Sequence, residues 1–326
     1  YFDSSSCVTA GLNVIGSSSA DTMNLNVDRS GAYQCISGNF TIDLKAGDDV
    51  INSGKLKNAD SIDMGAGDDS VSVMFGADAG GVQTIANADL AKLDGGAGQD
   101  TIRYDESANT SGTISLTTSG ATNFENIIGS PGAETITGDA NTNYLAGGNY
   151  SSSSTVADTL NGAGGNDILM ASYNCSGCSS DKFAFVKQYW PYANNYTTEG
   201  TFRNGSSNYW ISEGDHTLNG GAGDDTLYGD WATDDTSGAT YGLRYYDVSS
   251  SSYWGNDILN GGDGDDILIG NGGDDTLDGG AGADTLTGGA GNNTFVITGS
   301  SGGSTAAAGD TITDFTDGTD AIGFDT

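Results

Sequence analysis

Along residues 255–296 an apolar side chain returns at every ninth position, at Leu259, Leu268, Leu277, Leu286 and Phe295. Each sits in a short triplet of strand-forming residues such as Ile267-Leu268-Ile269 or Thr276-Leu277-Asp278. Between triplets lie polar hexads rich in Gly and Asp, for example Gly-Gly-Asp-Gly-Asp-Asp from Gly261. A helical stripe repeats at three and four residues, so a period of nine does not describe one. It describes a three-residue strand, middle side chain inward, joined by a turn whose glycines supply positive φ or close backbone approach. Two such units make one coil, and residues two repeats apart stack along the axis of a solenoid.

The same phrase occurs as GGAGDDTLY from Gly220, GAGGNDILM from Gly162 and GGAGQDTIR from Gly95. Weaker copies begin at Met64, Leu44 and Gly16, so the repeat runs through nearly the whole chain. The expected fold is all-β, a parallel β-roll or β-helix solenoid with two aromatic-rich loop insertions. Its expected organisation is an irregular solenoid over 1–128, a regular roll over 129–296 with inserts 173–213 and 231–254, and a C-terminal cap over 297–326.

The sixth place of each repeat is an aspartate: Asp257, Asp266, Asp275 and Asp284 lie in strict register, and stacking brings like charges together. The whole chain of 326 residues has 44 acidic and 10 basic side chains, a formal charge of −34. Such a chain repels phosphate backbones and anionic lipid, which argues against nucleic acid and membrane-surface partners. No apolar run is long enough to span a bilayer. Stacked carboxylates beside carbonyls of Gly-rich turns are hard oxygen donors suited to Ca²⁺, which takes six to eight of them. Solvated Asp-Gly turns are the plainer reading of one copy; tandem copies in register favour the metal.

The phrase G-G-x-G-x-D-x-(aliphatic)-x resembles the RTX, or haemolysin-type calcium-binding, nonapeptide. The likeness is close over about 129–296 and looser before it, and the tail from Gly309 resembles the segment that caps RTX rolls ahead of a secretion signal. The resemblance, which extends to bacterial surface-layer proteins and RTX adhesins, implies a right-handed parallel β-roll with several Ca²⁺ ions between turns. It also implies type I secretion from a bacterium to the extracellular space or cell surface. Carried over place by place, the metal ligands would be Asp49, Asp69, Asp100, Asp158, Asp167, Asp225, Asp257, Asp266, Asp275 and Asp284, with Asp21 and Asp60 in weaker frames. The pattern breaks at Glu134, Asn143, His216 and Asn293, where weak binding or none is expected. The start, Tyr1-Phe2-Asp3-Ser4, has neither Met nor an apolar leader, as expected of a cut or mature form or of a chain exported without an N-terminal signal.

Four cysteines in an extracellular chain favour disulfides, Cys7 with Cys35 and Cys175 with Cys178. A redox or zinc half-site at Cys175-Ser-Gly-Cys178 is the competing reading. The inserts hold all four tryptophans, and Trp190, Tyr192, Trp210, Trp231, Tyr246 and Trp254 are the candidate contacts. Tyr, Trp and Arg together have interface composition, and flat aromatic faces also suit sugar rings. Packing of the inserts onto the roll is the alternative.

Nothing in the chain reads as catalytic. His216 is the single histidine and reads as a surface turn residue, and the G-x-S-x-G match at Gly299 lacks a strand-to-helix context. The expected function is therefore non-enzymatic: a Ca²⁺-folded, secreted structural protein that self-associates through its inserts into a layer or filament. The alternatives are a glycan- or partner-binding module of an adhesin and a non-catalytic module of a secreted enzyme.

Overall fold

A computed structural model describes residues 12–25, 40–55, 61–74, 84–85, 93–104, 111–116, 122–129, 132–147, 157–171, 202–204, 207–209, 216–229, 255–298 and 309–325. Among the described residues there is no α-helix. The strand pairings are parallel apart from one antiparallel hairpin, Phe202–Asn204 with Ser207–Tyr209, inside the first insert. Two compact units divide between Gly138 and Asp139, so residue 128 lies within the first.

In the second unit the chain alternates between two parallel sheets. One stacks Thr159–Asn161, Thr217–Ala222, Ile258–Asp263, Thr276–Ala281, Thr294–Thr298 and Ala321–Asp325. The other stacks Tyr144–Ala146, Ile168–Met170, Thr226–Tyr228, Ile267–Ile269, Thr285–Thr287 and Thr311–Ile312. Register follows the nine-residue period: Leu259 pairs with Leu277, Leu277 with Phe295, and Leu268 with Leu286. These inward side chains are fully buried while their neighbours in the triplet are not, as in Thr226-Leu227-Tyr228. With one inward apolar side chain per nine residues, the apolar core of this unit is a narrow column.

One expectation of local structure changes. In the first of these sheets the strand does not stop after three residues: Thr276–Ala281 runs through Gly279 and Gly280 into the turn, and Gly280 pairs with Gly262. A Cβ on Gly280 would lie 2.2 Å from the Gly262 carbonyl oxygen, so glycine lets the two backbones pair here.

The first unit repeats the scheme with longer coils. Its sheets stack Leu12–Ile15, Phe40–Asp43, Ser61–Asp63 and Leu93–Asp94; Thr22–Leu25, Val50–Lys55, Ser70–Met74, Thr101–Tyr104 and Asn126–Ile128; and Thr84–Ile85, Ser111–Ser115 and Glu134–Thr137. Phe40, Ile42, Ile51, Ile62, Met64, Val71 and Ile102 fill its core.

In the second unit the insertions enter at one corner of the coil. Segment 172–215 follows the strand Ile168–Met170 and segment 230–254 follows Thr226–Tyr228, its parallel neighbour. The residues just before them are stacked: Ala171 N–H donates to the Tyr228 carbonyl at 3.0 Å. Cys7, Cys35, Cys175, Cys178, Asp60, Trp190, Tyr192, Trp210, Trp231, Tyr246 and Trp254 lie outside the described residues.

Candidate metal centre

Each sixth-place residue lies just before a strand, where stacking of coils sets it above its counterpart. Two series result. Series A comprises Asp21, Asp49, Asp69, Asp100 and Glu125 in the first unit, and Asn143, Asp167, Asp225, Asp266, Asp284 and Asp310 in the second. Each backbone N–H donates to the side chain of the next coil: Asp49 to Asp69 at 2.7 Å, Asp69 to Asp100 at 2.8 Å, Asp167 to Asp225 at 2.7 Å, Asp225 to Asp266 at 2.8 Å and Asp266 to Asp284 at 2.9 Å. Asp21, Asp100, Asn143 and Asp284 donate in the same way to Asp49, Glu125, Asp167 and Asp310.

Series B, in the second unit, comprises Asp158, His216, Asp257, Asp275, Asn293 and Asp320. Its N–H groups donate to His216 Nδ1 at 3.0 Å, Asp257 Oδ1 at 2.8 Å, Asp275 Oδ1 at 2.9 Å, Asn293 Oδ1 at 3.0 Å and Asp320 Oδ1 at 3.0 Å. All ten aspartates expected as ligands thus fall in the two series, and all are at most 2% exposed.

These bonds use one carboxylate oxygen. The other, Oδ2, is buried without a hydrogen-bond partner at Asp49, Asp69, Asp100, Asp167, Asp225, Asp266 and Asp284. A buried anionic oxygen in that state is strongly disfavoured unless a cation or a proton joins it. Burial above all, helped by neighbouring carboxylates and opposed by the backbone hydrogen bond, pushes the carboxyls of Asp69, Asp100 and Asp266 up to about 7. Asp167 reaches about 7 and Asp284 about 6 for the same leading reason, and Asp49 and Asp225 are raised as well.

Among the described residues no three His, Cys, Asp or Glu side chains converge as a metal-holding group. Each coil offers one carboxylate oxygen per turn, so further ligands to an ion must come from the backbone. The turns are built for that. A Cβ on Gly264 would lie 1.9 Å from the Gly223 carbonyl oxygen, and one on Gly261 would lie 2.2 Å from Asp266 Oδ2 and 2.5 Å from the Gly279 carbonyl. Glycine therefore keeps open a cradle lined by carboxylate and carbonyl oxygens, the donor set that Ca²⁺ prefers. The residues present fit the ion. When bound, Ca²⁺ supplies the positive charge that these buried oxygens lack.

A second, exposed ladder runs the other way. Asp265 N–H donates to Asp224 Oδ1 at 3.0 Å, Asp274 N–H to Asn256 Oδ1 at 2.7 Å and Asn292 N–H to Asp274 Oδ1 at 2.8 Å. Fifth-place Asp and Asn residues are thus interlocks between coils.

Sequence reasoning went astray at several places. His216 is not a surface residue: it is 1% exposed and occupies a full position in series B. Asn143 and Asn293, where the pattern breaks, are also buried and keep the ladder hydrogen bonds. Glu125, Asp310 and Asp320 were missed because the phrases around them lack the glycine frame. Their signal was a carboxylate just before a strand-like triplet, as in Asp310-Thr311-Ile312 and Asp320-Ala321-Ile322.

A family model described as the RTX calcium-binding nonapeptide repeat (4 copies) matches residues 119–149, 157–172 and 210–239, and in overlapping stretches 252–286, 260–295 and 269–303. No curated protein matches the chain. The protein carries RTX calcium-binding nonapeptide repeats, and these bind several Ca²⁺ ions.

Proposed function

We propose that the protein is a secreted, non-catalytic structural element that folds outside the cell on meeting Ca²⁺ and assembles there with copies of itself. The observation that carries this reading is the ladder of buried carboxylate oxygens without hydrogen-bond partners, which penalises the folded chain wherever Ca²⁺ is scarce. In a cytosol poor in free Ca²⁺ the chain stays expanded and can be threaded through a type I secretion channel. Outside, ions bind folded coils and shift the equilibrium by mass action.

Self-association is assigned to inserts 173–213 and 231–254. Support comes from their composition and from their roots, since Ala171 and Gly229 precede them on hydrogen-bonded neighbouring strands. The roots of the two aromatic segments thus lie side by side on neighbouring strands. Electron microscopy tests the reading: ordered polymers are expected in millimolar Ca²⁺ and dispersed particles in EDTA. Deleting 173–213 should abolish the polymers while β-rich circular dichroism persists. Dispersed particles in Ca²⁺, or polymers that survive the deletion, would refute assembly through the inserts.

A further inference from the structure

Series A and series B share a backbone but differ in chemistry. In the second unit, series A opens on Asn143 and keeps a carboxylate at every later place, Asp167, Asp225, Asp266, Asp284 and Asp310. Series B carries nitrogen at two of its six places, His216 and Asn293. At both, the hydrogen bonding fixes which atom faces which way.

At His216 the Asp158 N–H donates to Nδ1 at 3.0 Å, the bond that an aspartate Oδ1 accepts elsewhere. That commits the Nδ1 lone pair and places the ring proton on Nε2. The remaining nitrogen is then a donor, and a donor cannot ligate a cation. The turn is also altered around it. Its first place is Ala171 and its sixth is His216, with segment 172–215 between them where a regular turn has four residues.

At Asn293 the Asp275 N–H donates to Oδ1 at 3.0 Å, which turns Nδ2 toward the place of the ligand oxygen. First-place glycines measure the equivalence. A Cβ on Gly261, Gly270 or Gly279 would meet an aspartate Oδ2 at 2.2–2.3 Å, and one on Gly288 would meet Asn293 Nδ2 at 2.5 Å. Rotating the amide would set its NH₂ against the Asp275 N–H, so the orientation is locked. This turn is otherwise regular, with Gly289 and Gly291 at φ 90 and 137.

We propose that the turns ending at His216 and Asn293 hold no Ca²⁺, and that these two side chains join their coils by hydrogen bonds alone. From Asp167 onward series A is then a continuous calcium seam, and series B is a mixed seam that keeps metal-independent ties. One of those ties lies where segment 172–215 rejoins the roll, so that root is joined to its neighbours without an ion.

The test counts ions on the full chain by native mass spectrometry after equilibration in Ca²⁺. Asn293→Asp restores a carboxylate in an intact turn and should gain one ion over the wild type. His216→Asn, which can still accept the Asp158 N–H, should leave the count unchanged, whereas Asp225→Asn in series A should lower it. An unchanged count in Asn293→Asp, or a lower one in His216→Asn, would overturn the proposal. Should a variant not fold, crystals of the wild type soaked in Tb³⁺ decide the matter. Anomalous peaks are expected along series A, and a peak at His216 or Asn293 contradicts the assignment. Stoichiometric Zn²⁺ uptake by the wild type that His216→Asn removes would contradict it too.

Discussion

Replacing Asp266 with asparagine separates the two roles of a ladder residue. Its Oδ1 accepts the Asp225 N–H at 2.8 Å and its own N–H reaches Asp284 at 2.9 Å; asparagine keeps both bonds. The substitution removes the charge on a side chain 1% exposed whose Oδ2 has no hydrogen-bond partner. With the carboxyl pushed from 3.8 to about 7, its ionised form disfavours the metal-free fold by about 4 kcal/mol, at 1.36 kcal/mol for each tenfold step. Relaxation of the turn and water entry around the charged group lower this to about 2 kcal/mol. Asp266→Asn should therefore stabilise the metal-free chain at pH 8 by about 2 kcal/mol and destabilise the loaded one. At a free Ca²⁺ concentration 100 times the site's Kd, the lost ion removes about 2.7 kcal/mol. Folding driven by trimethylamine N-oxide in EDTA and urea unfolding in Ca²⁺, each followed by circular dichroism, read the two arms. The prediction is a change of sign between them. Destabilisation of equal size in both buffers would mean that the carboxylate acts through packing and that its charge is immaterial.

Other outcomes follow from the same geometry. Asp69, Asp100, Asp167 and Asp266 titrate near 7 when folded against 3.8 otherwise, so the metal-free fold holds extra protons between those values. In EDTA the expanded chain should therefore gain structure as pH falls from about 7 toward about 4, and circular dichroism showing no gain over that window would contradict the burial of these groups. Ala163 stands at φ 81 in the turn place that Gly221 and Gly262 occupy elsewhere, so Ala163→Gly should raise the unfolding free energy by about 1 kcal/mol in a urea titration. Gly264→Ala would drive a Cβ to 1.9 Å from the Gly223 carbonyl at φ 142 and should lower the melting temperature in Ca²⁺ by many degrees. Leu277→Ala empties a fully buried place between Leu259 and Phe295, for a loss of about 2–5 kcal/mol. Hydrogen exchange should show that loss spreading to the adjoining coils, since each coil is stabilised by its neighbours.

The period of nine made most of the second unit legible, because strand, turn and ligand each hold a fixed place in it. Leu259 over Leu277 and Asp257 over Asp275 were readable from spacing alone, and both stack as expected. The first unit was less open: successive ladder members there lie 20, 31 and 25 residues apart, and varying coil length erases a period even where the cross-section is kept. His216 was misread because a lone histidine in a polar turn carries no sign of burial. Only stacking shows that its Nδ1 stands in for a carboxylate oxygen. The strand running through Gly279 and Gly280 was hidden because paired glycines signal a turn, whereas here they permit close pairing with the coil below.

Small-angle X-ray scattering of one sample, first in EDTA at pH 8 and then in millimolar Ca²⁺, addresses the central claim most directly. A metal-stripped chain of this length should scatter as an expanded coil with a radius of gyration of about 60 Å. Added Ca²⁺ should reduce it by at least half, and EDTA should restore it. A radius already compact in EDTA and indifferent to Ca²⁺ would show that the buried carboxylates need no cation to stay folded.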